Sequence, residues 1–96
     1  MTKLWISAGL QVNPNQSASY VKSALIELQK MTVKKEQGCI YFDVLQHADN
    51  CAHFTLWEEW INEAALTNHF NQPHTKAYLA QQLTEVLYIE KLVKLT

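Results

Sequence analysis

Four side chains in the second half of the chain could together move a proton: Glu58, Trp60, His69 and His74. Glu58 and Trp60 end an apolar and aromatic stretch, Phe54-Thr55-Leu56-Trp57-Glu58-Glu59-Trp60, that reads as a strand. His69 lies about two turns into the next helix. His74 follows Pro73 at the start of another helix, where backbone N–H groups are left without partners. A strand end, a helix and a helix start can converge on one cavity between sheet and helices, aromatic-walled with a few polar groups. There a neutral imidazole can accept a phenolic proton, and a nearby carboxylate can orient the ring. Each residue also has a plainer reading. Trp57 and Trp60 can be packing, His69 a satisfied and partly buried ring, Glu58 a strand-edge charge paired with lysine, and His74 a surface residue. On the preceding strand Phe42 and Tyr41 are further candidates for contact with a substrate, although Tyr41, with Asp43, also suits an interface.

Other chemistries find little support. With two scattered glycines there is no phosphate-cradling loop or dinucleotide fingerprint, and neither a Gly-x-Ser-x-Gly elbow nor a Cys-x-x-Cys is present. His69 and His74 stand five residues apart across a proline, not the four of a helical metal pair, and no third ligand stands out. No metal is expected. Formal charge is −1, from eight Lys and Arg against nine Asp and Glu, which argues against a nucleic-acid binder. No apolar run approaches the roughly 18 residues of a membrane span. The start, Met1-Thr2-Lys3-Leu4-Trp5, lacks the features of a secretory leader, so a cytoplasmic protein is expected.

The 96 residues, 48% hydrophobic and 18% charged, suit a single folded domain over 1–96. So short a chain buries roughly 60–68% of its unfolded surface, and dimerisation would add to a modest core. Lys3 to Val12 alternates, with Leu4, Ile6, Ala8, Leu10 and Val12 on one face, and Gly9 inside it suggests a bulge or a close backbone approach. Asn13-Pro14-Asn15 breaks this strand and supplies a helix start. From about Gln16 to Gln37, Val21, Ala24, Leu25, Leu28 and Met31 form a helical stripe. Lys34-Lys35 complements the helix dipole, and Gly38 suits a left-handed closing residue. Cys39–Gln46 and His53–Trp60 read as strands around a turn at His47-Ala48-Asp49-Asn50. Asn62 caps a helix over Glu63–Phe70, a further helix spans about His74–Thr84, and Val86–Leu95 closes as a strand. Cys39 and Cys51 fall at opposite ends of the hairpin, out of disulfide reach. The order β-α-β-β-α-α-β matches the split βαβ, ferredoxin-like plan, an α+β fold with helices on one face of an antiparallel sheet. Strands one and two are substantially apolar or aromatic on both sides, with Trp5 opposite Leu4 and Ile6 and Tyr41 opposite Ile40 and Phe42, so the second face is expected to meet another sheet, most simply that of a second copy.

The motifs now on the page are a glycine before a Tyr/Phe-rich strand (Gly38 to Gln46), an aromatic-Glu-x-Trp strand end (Trp57 to Trp60), Ala65-Leu66-Thr67-Asn68-His69, and Pro73-His74. Together they resemble the antibiotic biosynthesis monooxygenase domain, over about 16–95. The resemblance implies a dimeric α+β barrel, two ferredoxin-like units joined through their sheets. For some members it also implies oxidation of phenols or quinols by dioxygen without metal, flavin or haem. It casts His69 as base, Trp60 as aromatic wall, and Glu58 and His74 as supporting polar groups. Gln72 departs from the Ser or Thr common at that helix cap. A haem-degrading relative is disfavoured, because the first strand has no Asn and His69 and Leu79 stand where that branch carries its Trp and its axial His. Two alternatives stay open: an isomerase or lyase on a small phosphorylated carbonyl compound such as a quorum-sensing sugar, and a non-catalytic small-molecule-binding dimer.

Overall fold

The computed structural model describes residues 2–96. The elements run β1 (Leu4–Val12), α1 (Ala18–Lys35), β2 (Cys39–His47), β3 (Asn50–Trp60), α2 (Glu63–His69), α3 (Pro73–Ala80) and β4 (Thr84–Leu92). The four strands form one antiparallel sheet in the order β2-β3-β1-β4. This is the ferredoxin-like α+β arrangement expected from the element order. Helix α1 packs on β2 and against α3, while α2 lies against β3. Val21, Leu25 and Leu28 of α1 join Leu4, Ile6, Ala8, Leu10, Phe42, Phe54, Leu56 and Trp60 of the sheet in one buried cluster. Among the described residues no helix is long and apolar enough to cross a membrane.

Local chemistry accounts for the boundaries that differ from expectation. Helix α1 starts after Ser17, whose hydroxyl accepts from the Tyr20 N–H at 3.2 Å, rather than from Asn13-Pro14-Asn15. Asn13 instead ties two loops together, its backbone N–H donating to Leu83 and its side chain to the Gln82 carbonyl at 2.8 Å. Gln82, at φ 51°, reverses the chain, which ends α3 early and starts β4 at Thr84. Strand β3 begins at Asn50, ahead of the expected His53, because Asn50 accepts from the Ala52 N–H and pairs with His47 across a two-residue turn.

The two glycines serve close approach. At Gly9 the β1–β4 register shifts, and a Cβ there would lie 2.5 Å from the Tyr88 ring. Gly38 is not the left-handed cap expected of it, since neither glycine has a positive φ. Helix α1 closes two residues earlier, with Glu36 extended (φ −108°, ψ 104°) and its N–H bonded to the Thr32 carbonyl. What requires a glycine at 38 is Ala65 of α2, whose methyl would lie 2.5 Å from an added Cβ. The Ile61 N–H bonds the Gly38 carbonyl at 2.9 Å and locks this approach. Both thiols are free, as expected.

The outer face of the sheet, away from the helices, mixes polar residues, among them Ser7, Asp43, Thr55, Glu59 and Glu90, with an apolar and aromatic patch. Half-buried Trp5, Tyr41 and Trp57 share it with exposed Leu45, Tyr88 and Leu92. Edge strand β4 also exposes Val86, Leu87 and Ile89.

Gly38→Ala is expected to destabilise the protein by roughly 1–3 kcal/mol through overpacking. Ala65→Gly in the same chain should recover part of that loss, because it removes the opposing methyl. Gly9→Ala should be milder, since the added Cβ meets the far end of a side chain, the Tyr88 ring, rather than a methyl fixed on a helix. Urea unfolding of the four proteins checks this, and equal midpoints for Gly38→Ala and wild type would refute the close-approach account.

Candidate active site

Between the inner face of the sheet and helices α2 and α3 lies a cavity of about 450 Å³. Its walls are apolar, with Ile6 and Leu10 of β1, Phe42 of β2, Leu56 of β3, Leu66 of α2 and Ile89 of β4. Edge strand β4 closes one side. Lys91 of β4 and Glu63 of α2 line the rim as an ion pair, and both are exposed. Deeper polar groups are few, and they include Glu58, His69 and Tyr78, whose hydroxyl is bonded to Thr84.

Helix α2 delivers His69. Asn62 caps it by accepting the Ala65 N–H at 2.8 Å, and Leu66 and His69, three residues apart, bury the same face. The imidazole is packed among rings, 4.9 Å from Trp60, 5.4 Å from Phe70 and 5.7 Å from Phe42 between centroids. Its Nδ1 lies 2.7 Å from Glu36 Oε2 and 3.3 Å from Thr75 Oγ1. With Nδ1 so engaged, Nε2 is the ring nitrogen left for the cavity. Burial pushes the His69 pKa down, the hydrogen bond and charge of Glu36 oppose that shift, and His74 adds to it. The balance favours a neutral imidazole, the form able to accept a proton.

Glu58 is a carboxyl on the apolar face of a strand. It alternates with Phe54, Leu56 and Trp60, pairs with Ile6 and Phe42, and is 4% exposed. Its Oε1 accepts the Trp60 Nε1–H at 2.8 Å. Burial raises its pKa to about 7 against the restraint of that bond, with the charge of Glu36 pushing the same way as burial. Near neutrality Glu58 can hold or release a proton. Cys39 is no nucleophile, because burial and the charges of Glu58, Glu36 and Asp43 push its thiol up to about 12.

Trp60 is fully buried and touches both His69 and Glu58, so it braces the two titratable groups. His74 lies behind His69, its Nε2 2.6 Å from Glu36 Oε2, while Tyr41 sits on the outer face of the sheet beside Glu59 and Trp5. Gln72, the unusual cap residue, makes no side-chain capping bond.

Glu36 is the residue that sequence reasoning passed over. Directly after Lys34 and Lys35 it reads as one more solvated charge at the end of α1, yet it is 7% exposed. A signal was present: the buried positions Leu28 and Thr32 continue at the same spacing to Glu36, on the inward face. Glu36 also supplies the third donor thought to be lacking, since its carboxylate and both imidazoles offer atoms within 4.8 Å of one another. The 2.6 and 2.7 Å contacts are nevertheless hydrogen-bond lengths. Donors held by 2.0–2.2 Å bonds to a single ion sit roughly 3 Å or more apart.

Comparison with known proteins agrees with this architecture. Residues 6–81 match the antibiotic biosynthesis monooxygenase family, and the chain belongs to it. It is 32% identical over 87 residues to YjcS of Bacillus subtilis (strain 168), an uncharacterized protein, covering 91% of this chain and 82% of that one. A solved structure of YjcS superposes with a TM-score of 0.88 at 30% identity, covering 97% and 99% of the two chains. PA3566 from Pseudomonas aeruginosa reaches the same TM-score at 26% identity, with 100% and 97% covered. SnoaB from Streptomyces nogalater, described as a cofactor-independent oxygenase, shares the fold with a TM-score of 0.83 at 10% identity, covering 100% and 96%.

The raised pKa of Glu58 makes stability depend on pH with a definite sign. Between its ordinary value of 4.5 and about 7 the unfolded chain ionises while the folded protein keeps the proton. The contribution of this group is therefore greatest at acid pH and is lost as pH rises through that window. Glu58→Gln should remove the dependence. Going from pH 5 to pH 8, wild type should lose roughly 1–3 kcal/mol more than Glu58→Gln in urea titrations. Parallel profiles for the two proteins would mean that Glu58 is not buried as described.

Proposed function

We propose that the protein is a monooxygenase that oxidises a small phenolic or quinol substrate with dioxygen and needs no metal, flavin or haem. The observation that carries this reading is a single arrangement. His69 lines an apolar cavity, its Nδ1 is held by the buried Glu36, which leaves Nε2 as its free ring nitrogen, and the protonatable Glu58 lines the same space. A bound phenol would give its O–H proton to Nε2, leaving an anion that transfers an electron to dioxygen. Overall, the phenol and dioxygen yield a quinone and water, so the substrate supplies the electrons. The protein supplies a base, an apolar-walled cavity and alignment. Family membership supports the reading, as does the shared fold of an oxygenase described as cofactor-independent. The alternative phosphorylated carbonyl substrate is less well served, because the cavity-lining lysine, Lys91, is already paired with Glu63. Phe42 lines the cavity, where it would contact the substrate, whereas Trp60 is fully buried outside the cavity lining and acts by bracing His69 and Glu58.

Tyr41, on the outer face of the sheet, is better suited to an interface than to substrate contact. With Trp5, Trp57, Leu45, Tyr88 and Leu92 it makes an apolar surface that a second copy would cover, so we also propose a homodimer joined through these sheets. Light scattering after size exclusion should give twice the chain mass, and Trp57→Glu should give the monomer; a wild-type monomer at micromolar concentration would exclude the dimer.

Oxygen uptake tests the activity. With chelator-treated, flavin-free protein, uptake in the presence of hydroquinones should exceed the protein-free rate and fall about 10²–10⁴-fold in His69→Ala. Uptake no faster than in buffer across a panel of phenols and hydroquinones would dismiss the oxygenase and leave the binding-module reading.

A further inference from the structure

One carboxylate oxygen at the meeting point of three helix ends receives two imidazoles. Glu36 follows the last residue of α1, His69 is the last residue of α2, and His74 is the second residue of α3. Oε2 of Glu36 lies 2.7 Å from His69 Nδ1 and 2.6 Å from His74 Nε2. All three side chains are buried, with 4% exposure for Glu36, 5% for His69 and 9% for His74. A buried carboxylate accepts only, so each imidazole must bring its proton to the shared oxygen. With the opposite tautomer at His69, two lone pairs would face each other at 2.7 Å, and the ring N–H would point into the cavity instead.

We propose that Glu36 and His74 are positioning residues that set His69 for proton abstraction. Glu36 holds the ring as the Nδ1–H tautomer with the Nε2 lone pair toward the cavity, and His74, bonded to the same oxygen, holds the carboxylate in place and draws off part of its charge. This deepens the base role of His69 and rests on it. When Nε2 takes a proton from the substrate, the Nδ1–H bond to Glu36 becomes charge-assisted and strengthens, while the transferred proton stays on the imidazolium. A carboxylate serving two donors gives each less than it would give one. His74 therefore moderates the base, and its removal leaves Glu36 wholly to His69.

The groups that face this cluster are few. Thr75 of α3 places its hydroxyl 3.3 Å from Nδ1, a second and longer contact. From the sheet come Glu58 and Cys39, the first lining the same cavity as His69. Trp60, Phe42 and Phe70 complete the surroundings of the ring without charge. Neither Glu36 nor His74 lines the cavity, so both act through His69 rather than on a substrate.

Imidazole nitrogen NMR of the labelled protein tests the proposal without any substrate, so its failure is separable from failure of the oxygenase reading. Wild-type His69 should show a protonated Nδ1 and a bare Nε2. Glu36→Gln, which keeps an accepting oxygen but removes the charge, should keep that tautomer and lower the pH at which His69 protonates by about one unit, a tenfold loss of base strength. His74→Ala should raise that pH. His74→Gln, which restores an N–H donor, should return it toward wild type, a recovery that mere filling of space would not produce. If hydroquinone oxidation is observed, Glu36→Gln should lower kcat on the order of 10–100-fold with KM little changed. Three results would overturn the proposal: an Nε2–H tautomer in the wild type, a His69 titration indifferent to both His74 variants, or a stoichiometric divalent metal in the purified protein that Glu36→Gln abolishes. Amide spectra confirm that each variant is folded, and Glu36→Asp replaces Glu36→Gln should the latter unfold.

Discussion

The burial of Glu36 is the constraint to which the rest of the site answers. An ionised carboxylate removed from water is strongly destabilising unless hydrogen-bond donors meet it, and here two imidazoles do so. That requirement brings together the end of α1, the end of α2 and the start of α3, three points far apart in the chain. It also determines which way His69 faces. A ring pinned at Nδ1 has one nitrogen left, and the helix that carries it sets the ring in the cavity wall. The packing of Gly38 against Ala65 serves the same end, because it seats α2 closely beside the start of β2, two residues after Glu36.

Within the cavity one physical effect acts on two groups in opposite senses. Desolvation penalises the charged form, so it lowers the pKa of His69 and raises that of Glu58. Both groups are thereby driven toward neutrality by the same apolar walls. A neutral imidazole and a neutral carboxyl in one cavity are a base and an acid at the same pH, a pairing suited to proton transfer. Trp60 holds them in register, bonded to one and packed on the other.

The sheet has two faces with separate tasks. Its inner face supplies the cavity floor, while its outer face carries Trp5, Tyr41 and Trp57 among exposed aliphatic side chains. Edge strand β4 joins the two, with Ile89 and Lys91 on the cavity and Tyr88 and Leu92 on the other side. An association through the outer face would therefore border the strand that closes the cavity.

Most of the fold was legible because it rests on short-range patterns. Alternation in Leu4–Val12, the three-and-four stripe through Val21, Leu25 and Leu28, and the cap at Asn62 depend on neighbouring residues alone, and they yield the element order and hence the ferredoxin-like plan. Glu58 and His69 were legible for a related reason: a carboxyl on an apolar strand face and a histidine on a buried helix face stand out against their own element. The errors lay where contacts between distant segments decide. Gly38 is required by a methyl on another helix rather than by its own φ, and α3 ends where a turn at Gln82 is tied to the loop after β1. Glu36 is the clearest instance. Beside Lys34 and Lys35 it looks solvated, and its partners lie 33 and 38 residues away. The sequence alone determined the elements and the candidate base; the tertiary structure decided its partner, because a buried charge is settled by whichever donors the folded chain brings to it.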